Sequence, residues 1–185
     1  MTLRRSLALA FAAVALTSAA AGAQNTTLIP DLLRDLAEVE EKLTGLAKAI
    51  PADKYGWRPS AGTRSVGEVV MHVASDNYFI PAAGAGMPAP AATGIKVDDY
   101  KTVSAYESRK VTPAQALKEM EASFAFLKKA MQGASPASLN TKQKVFGMEM
   151  TGQQLWILTA THLHEHLGQL IAYARSNNVV PPWSK

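Results

Sequence analysis

The last amphipathic segment of the chain reads QQLWILTATHLHEHLGQLIAYARSN and covers residues 153–177. Its apolar residues recur every three or four positions, which is the pattern of a helix with one buried face. Three of the four histidines of the chain lie within five positions of this segment. His162 and His166 are one helical turn apart on the same face, whereas His164 points the other way. The segment therefore predicts a helix that presents two imidazole rings side by side.

Three further segments, residues 28–50, 66–80 and 113–133, show the same apolar spacing and predict amphipathic helices. Between the second and the third lies a stretch over residues 81–99 that is rich in proline, alanine and glycine, which predicts a long irregular connection. A weak alternation of residue types indicates a short hairpin near residues 141–150. Four amphipathic helices with few strand signals predict an all-α fold, a four-helix bundle.

The N-terminal region has the three parts of a secretory signal peptide. Two arginines precede an apolar run over residues 7–16, and the small residues 21–23 follow it. The alternative is a membrane anchor, but the apolar run is shorter than the roughly 20 residues that a span needs. We expect residues 1–23 to be removed after Ala23, which leaves residues 24–185 as one domain in the periplasm or outside the cell. No later apolar run is long enough to anchor that domain in a membrane.

The chain contains no cysteine, although an exported protein reaches a compartment in which disulfides form. Thiolate ligands and thiolate nucleophiles from the protein itself are therefore excluded, and a bound metal would be held by nitrogen and oxygen atoms. Loss of the two N-terminal arginines lowers the formal net charge from +4 to +2. No run rich in lysine and arginine with interleaved aromatic residues occurs, so nucleic acid is not expected as a partner.

The fourth histidine, His72, lies in the middle of the second predicted helix, among valine residues. Two imidazoles on one helix and a third from a neighbouring helix can hold a divalent transition metal. His162 and His166 follow the apolar stripe of their helix, which favours this interpretation. Two alternatives stay open: the pair lies on a solvated face, or His72 is a core histidine bonded to a hydroxyl or carbonyl group. His164, beside Glu165, is expected at the surface.

Other polar side chains near the histidines are candidates for proton transfer or for orienting the rings. Glu68 lies one turn before His72, and Asp76 lies one turn after it. We favour Asp76 as the candidate catalytic residue, because its i+4 spacing places it on the same face as His72. No other catalytic residue is identified. Gln169, three residues after His166, is close enough in sequence to reach the site.

Three common catalytic motifs are absent from the chain. The zincin motif needs a glutamate directly after the first histidine, and Leu163 occupies that place after His162. The Glu-x-x-His pair of ferritin-like proteins is absent as well, because Thr159 stands three residues before His162. No Gly-x-Ser-x-Gly elbow supports a serine triad.

Two stretches of the chain resemble motifs of a known family. One reads YGWRP at residues 55–59 and leads into a serine-capped helix that carries His72. The other is His-x-x-x-His-Leu-Gly-Gln over residues 162–169. With these motifs, and in the order and spacing of its elements over residues 24–185, the chain resembles the DinB/YfiT-like superfamily of four-helix bundles.

The resemblance implies a metal site formed by His72, His162 and His166, with no ligand role for His164. The implied cofactor is a divalent transition metal, zinc in the first place, with nickel, iron or manganese as alternatives. Family members of known activity include thiol-dependent transferases and isomerases that act with bacillithiol or mycothiol. This chain differs from the better-known members in its predicted export signal.

Three hypotheses about function follow. The first is a metal-dependent enzyme, a hydrolase or thiol-type transferase, that acts on a small molecule of unknown identity. The second is a non-catalytic metal-binding or stress-response protein of the cell envelope. The third is a plain helical bundle whose histidines bind nothing. The sequence leaves open whether the protein forms a homodimer.

Overall fold

Four long helices and a short antiparallel hairpin make up the frame of the protein, in a computed structural model that describes residues 27–184. The predicted signal peptide over residues 1–23 lies outside the described residues. Two short α-helices lie in the connections between the long ones, together with single 3₁₀ turns at Ala52–Lys54 and Ala91–Thr93. In chain order the elements are α1 (Leu28–Ala49), α2 (Val66–Gly84), α3 (Tyr100–Glu107), α4 (Pro113–Gln132), α5 (Pro136–Asn140), β1 (Lys142–Val145), β2 (Met148–Thr151) and α6 (Gly152–Ser176).

The four long helices bury their apolar stripes against one another, which confirms the predicted four-helix bundle. Helix α1 packs against α4 and α6, and α2 packs against the same two helices. Helices α1 and α2 therefore occupy opposite corners of the bundle, although they follow each other in the chain. Because α2 and α6 are neighbours, the helix that carries His72 faces the helix that carries the histidine pair. Within the described part of the chain, no helix has both the length and the apolarity to cross a membrane.

A capping box holds the first turn of α2, as the sequence predicts. The Ser65 hydroxyl accepts a hydrogen bond from the Glu68 N–H at 3.3 Å, and the Glu68 carboxylate accepts one from the Ser65 N–H at 2.8 Å. The same carboxylate also accepts a hydrogen bond from Arg58 at 2.9 Å. The box satisfies N–H groups that a helix start leaves unpaired. It therefore defines where α2 begins and, two turns later, where His72 lies.

Helix α2 continues for one turn beyond the predicted end at residue 80. Pro81 lies inside the helix and lacks the N–H that would complete the backbone ladder there. The turn nevertheless forms, since Pro81 is buried and its carbonyl accepts the N–H of Ala85 at 2.9 Å. Gly84 packs so closely on α6 that an added Cβ would overlap the Leu155 side chain. The irregular connection therefore starts at residue 85 and not at residue 81.

The segment between α2 and α4 also contains a helix that the sequence analysis did not predict. Helix α3 is capped by Asp99, whose carboxylate accepts the N–H of Lys101 at 3.1 Å. It turns Val103 and Tyr106 towards the core and packs on α2. This packing brings the last residue of α3, Glu107, close to the middle of α2.

The predicted hairpin near residues 141–150 is present as β1 and β2, which pair in antiparallel register with Val145 opposite Met148. Two residues, Phe146 and Gly147, connect the strands, and both have positive φ angles, 53° and 77°. Positive φ at both central residues defines a type I′ turn, the connection that best matches the twist of two paired strands. The hairpin packs against α2 and α6. Its turn residue Phe146 lines the same cavity as His72 and His162.

Candidate metal centre

Three imidazole rings meet between α2 and α6. The ring centres of His162 and His166 lie 4.5 Å apart, and that of His72 lies 5.4 Å and 4.6 Å from them respectively. One nitrogen from each ring lies within 4.8 Å of the other two. His72 and His166 are buried, whereas the His162 side chain keeps a quarter of its surface exposed. The structure thus brings together the three histidines that the sequence singled out.

The outer nitrogen of the His72 ring is held by a carboxylate from α3. Nδ1 of His72 lies 2.7 Å from Oε1 of Glu107, which also accepts a hydrogen bond from the Ser75 hydroxyl at 2.8 Å. Burial raises the pKa of Glu107, but the hydrogen bonds from His72 and Ser75 outweigh it and lower that pKa to about 2. The ionised carboxylate accepts, so Nδ1 of His72 carries the proton. Its Nε2 is left to face the other two rings.

The His166 ring is oriented by a chain of hydrogen bonds. Its Nδ1 lies 2.9 Å from the Gln169 side-chain oxygen, and the Gln169 amide nitrogen donates to the Tyr173 hydroxyl at 2.9 Å. That hydroxyl donates to the backbone carbonyl of Arg64 at 3.1 Å. The chain assigns the proton of His166 to Nδ1 and directs its Nε2 into the site. Burial, together with the positive fields of His72 and His162, lowers the pKa of His166 to about 4.

Asp76 reaches two of the three rings. Its Oδ2 lies 2.7 Å from Nε2 of His162 and 3.4 Å from Nε2 of His72. The hydrogen bond from Asp76 raises the pKa of His162, although burial of the ring opposes the shift. The Asp76 carboxylate therefore stabilises the protonated form of His162 when nothing else binds there. Asp76 is placed either to join a metal as a ligand or to take a proton from a group bound beside it.

Two other residues considered from sequence lie elsewhere. His164 is half-exposed on the opposite face of α6, where its Nε2 lies 3.0 Å from Oδ1 of Asp35. This is the surface position expected of it. Glu68 contacts Arg58 and the start of α2, so it does not orient His72 as the sequence had suggested. Glu107 takes that role, and sequence reasoning missed it.

The arrangement of nitrogen atoms fits a divalent transition metal. The Nε2 atoms of His162 and His166 face each other across 3.2 Å. Two ligands of a tetrahedral zinc site, each at about 2.0–2.1 Å from the metal, lie roughly 3.3 Å apart. The outer nitrogens of His72 and His166 already have the partners that ligating histidines require. A second group of potential ligands, His72, Asp76 and Glu107, also lies within 4.8 Å, but Glu107 and Nδ1 of His72 already satisfy each other.

One side of the histidine cluster opens into a small cavity of about 280 Å³. His162, His72 and Asp76 line it, and further side chains from α2, α3, α6 and the hairpin form the rest of its walls. The wall residues are Ile80, Tyr100, Phe146, Met148 and Leu158. A metal held by three histidines would therefore have a coordination position that a small molecule could reach.

Comparison with known proteins identifies a family. A family model described as the DinB superfamily matches residues 35–170 of the chain. No curated protein sequence matches it. The match takes in His72, Asp76 and the histidine pair of α6.

Several solved structures share the fold. A DinB-like protein from Bacillus cereus superposes with a TM-score of 0.65 at 15% identity, over 82% of this chain and 93% of its own. YfiT from Bacillus subtilis, described as a probable metal-dependent hydrolase with an unusual four-helix bundle topology, gives 0.61 at 13% identity, over 82% and 89%. A mycothiol-dependent maleylpyruvate isomerase gives 0.59 at 12% identity, over 77% of this chain and 60% of its own. At such identities the likeness shows the fold alone.

Proposed function

The chain belongs to the DinB superfamily, and from that premise we propose that it is a metal-dependent enzyme whose metal is held by His72, His162 and His166. The observation that carries the proposal is the convergence of the three rings, with two Nε2 atoms 3.2 Å apart and Nδ1 of His72 and of His166 already bonded to outer partners. Zinc is the first choice because the ligands are neutral nitrogens, and nickel, iron and manganese are the alternatives.

The reaction proposed is hydrolysis or transfer to a thiol. A bound divalent metal would supply Lewis-acid activation of a water molecule or a thiol. Asp76, buried beside His72 and His162, would take the proton released there. The carboxylate favours hydrolysis, since water is a far weaker acid than a thiol and needs a base more. YfiT, with the same fold, is described as a probable metal-dependent hydrolase, and that description supports the same choice here.

We also propose that the protein works outside the cytoplasm, on the basis of the signal peptide expected over residues 1–23. Cell fractionation tests this point: a mature protein that begins at Gln24 and appears in the periplasm or medium supports it. A full-length protein found in the cytoplasm would contradict it.

Metal analysis of untagged protein tests the site. We expect one divalent metal per chain, lost in His162→Ala and retained in His164→Ala, because His164 faces solvent on the other side of α6. Full occupancy in the His162→Ala variant would overturn the assignment. A screen of the metal-loaded protein against esters, amides and thiol acceptors then separates an enzyme from a non-catalytic metal-binding protein of the cell envelope.

A further inference from the structure

The turn of the hairpin contains a residue that the turn itself does not favour. Phe146 occupies the first central position of the type I′ turn with a φ of 53°. Asparagine, aspartate and glycine are the usual residues there, because a bulky side chain is strained in the left-handed region. The strain of one such residue, on the order of 1–3 kcal/mol, persists only where the surrounding structure compensates for it. A phenylalanine at this position indicates that its side chain has a role other than forming the turn.

The Phe146 side chain lines the cavity and packs on α2. The ring lies 5.6 Å from the ring of Phe79, which is buried on α2. Phe79 also contacts Tyr100 edge-on, at 5.7 Å. Phe146, Tyr100 and Met148 nevertheless remain 47%, 54% and 54% exposed. Three large apolar side chains that are half-exposed and line one cavity form the kind of surface that marks a binding site.

The lining of the cavity is mainly apolar outside the candidate metal centre. His72, His162 and Asp76 belong to that centre, and the remaining lining side chains belong to the five wall residues defined above. Among the described residues that line it, none is lysine or arginine. An anionic group on the part of a ligand that lies away from the metal would therefore enter an apolar space beside the Asp76 carboxylate, with no lysine or arginine among the lining side chains to pair with, which is costly.

The volume of the cavity limits the size of its ligand. About 280 Å³ exceeds the roughly 150 Å³ of an engineered apolar cavity that binds benzene. It lies just below the range of about 300–1,000 Å³ that is typical for larger ligands. One ring with a short functional group would fill it.

We propose that this site takes a substrate with a single uncharged apolar group of about one ring, whose polar end reaches the metal, and that Phe146 is a specificity-determining residue for that group. The proposal rests on the proposed function, since it assumes a metal at the three histidines. It adds the substrate class: a small aromatic or branched-aliphatic compound without a charge on its apolar part.

Binding of matched hydroxamates to the zinc-loaded protein tests the proposal. Benzohydroxamate and acetohydroxamate share one metal-binding group and differ in a phenyl against a methyl group. We expect benzohydroxamate to bind at least about tenfold more tightly by calorimetry, since burial of a ring is favourable. 4-Carboxybenzohydroxamate should lose that advantage. Equal affinities for all three probes would overturn the proposal.

The variant Phe146→Asn separates specificity from structure. Asn-Gly is a preferred type I′ pair, so the melting temperature should stay the same or rise while the preference for benzohydroxamate falls to a few-fold. Trp183→Asn, which removes another exposed aromatic side chain outside the cavity, should leave the preference unchanged. An unchanged preference in Phe146→Asn, or a loss of preference together with a large fall in melting temperature, contradicts the proposal.

The zinc content of every sample is measured before a probe is added. Protein that binds neither zinc nor any of the alternative metals in stoichiometric amount overturns the proposed function, and this inference with it. Protein with stoichiometric zinc but without the aromatic preference overturns this inference alone.

Discussion

Nδ1 of His72 lies 2.7 Å from Oε1 of Glu107, a residue at the end of a short helix outside the four-helix frame. A carboxylate in this position orients the ring, directs its Nε2 inward and increases the basicity of the nitrogen that would bind a metal. The same carboxylate oxygen accepts a hydrogen bond from Ser75, and the other oxygen of Glu107 pairs with Arg64 at 3.3 Å. The position of the His72 ring therefore depends on α3 as much as on α2.

Removing this carboxylate should weaken metal binding. For Glu107→Ala we expect a metal affinity about 10–100-fold lower, the usual cost of losing an outer partner of a ligating histidine. Glu107→Gln should lose less, because the amide oxygen still accepts from Nδ1. Competition titration with a chromophoric chelator measures the affinities. Glu165→Ala is the matched control, as that side chain is exposed and lies 3.6 Å from Nδ1 of His162; an equal loss there would count against a special role for Glu107.

Metal affinity should depend on pH through His162. Its hydrogen bond with Asp76 raises its pKa above the ordinary value of about 6.5, and the ring must lose its proton to bind a metal. Affinity should therefore be constant above that pKa and fall about tenfold per pH unit below it. His166 has a pKa of about 4, so its protonation does not affect the pH dependence of metal affinity until the pH approaches that value. Chelator titrations from pH 5 to 9 would show this; a flat profile would mean that no proton leaves His162.

Asp76→Asn should lower the pKa of His162 in the metal-free protein. The hydrogen bond to Asp76 raises the pKa of His162 because its acceptor is a charged carboxylate. A neutral amide in its place stabilises the imidazolium less. NMR titration of the ring protons measures the shift, and the exposed His164 serves as an internal reference. An unchanged His162 pKa would show that the Asp76 carboxylate does not stabilise the protonated ring. With a substrate in hand, the same variant should lose about 10²–10⁴-fold in rate.

Two glycines of α6 should respond to alanine in opposite directions. A Cβ at Gly152 would overlap the backbone carbonyl of Ser138, so Gly152→Ala should destabilise the protein by about 1–3 kcal/mol. Gly168 is exposed with no neighbouring atom within 4 Å of an added Cβ, and Gly168→Ala should stabilise by about 0.5–1 kcal/mol. Urea unfolding measures both. A Gly152→Ala variant as stable as the unchanged protein would contradict the close packing at the start of α6, and a destabilised Gly168→Ala variant would contradict the open position of Gly168.

The long helices were predictable because each one buries a continuous apolar stripe. Helix α1, for example, buries Leu36, Leu43 and Leu46 on one side, a repeat that is visible in the sequence. Helix α3 has eight residues, of which Val103 and Tyr106 are buried. Two apolar residues are too few for a periodic signal. The small sequence cue was Asp99, which caps α3 as aspartate often does. Glu107 could not be assigned without the helix that carries it.

The sequence by itself determined the local part of the candidate site. Spacing along one helix places His162 and His166 on one face and His164 on the other, because the backbone hydrogen bonds of an α-helix set this geometry regardless of the rest of the fold. The place of His72 in the middle of another predicted helix made it the candidate for the third ring, and the resemblance to a known family implied the same ligand. Gln169 was within reach of His166 for the same local reason.

Only the tertiary structure decided which side chains complete the site. Asp76 contacts His162, which lies 86 positions away in the sequence, and Glu107 contacts His72, which lies 35 positions away. Apolar periodicity indicates which face of a helix is buried, but it does not say against which neighbour. Here α2 packs next to α6, α3 packs on α2, and the hairpin packs against both α2 and α6. That packing turns two histidines on one helix into a three-ring cluster with a carboxylate and an apolar cavity.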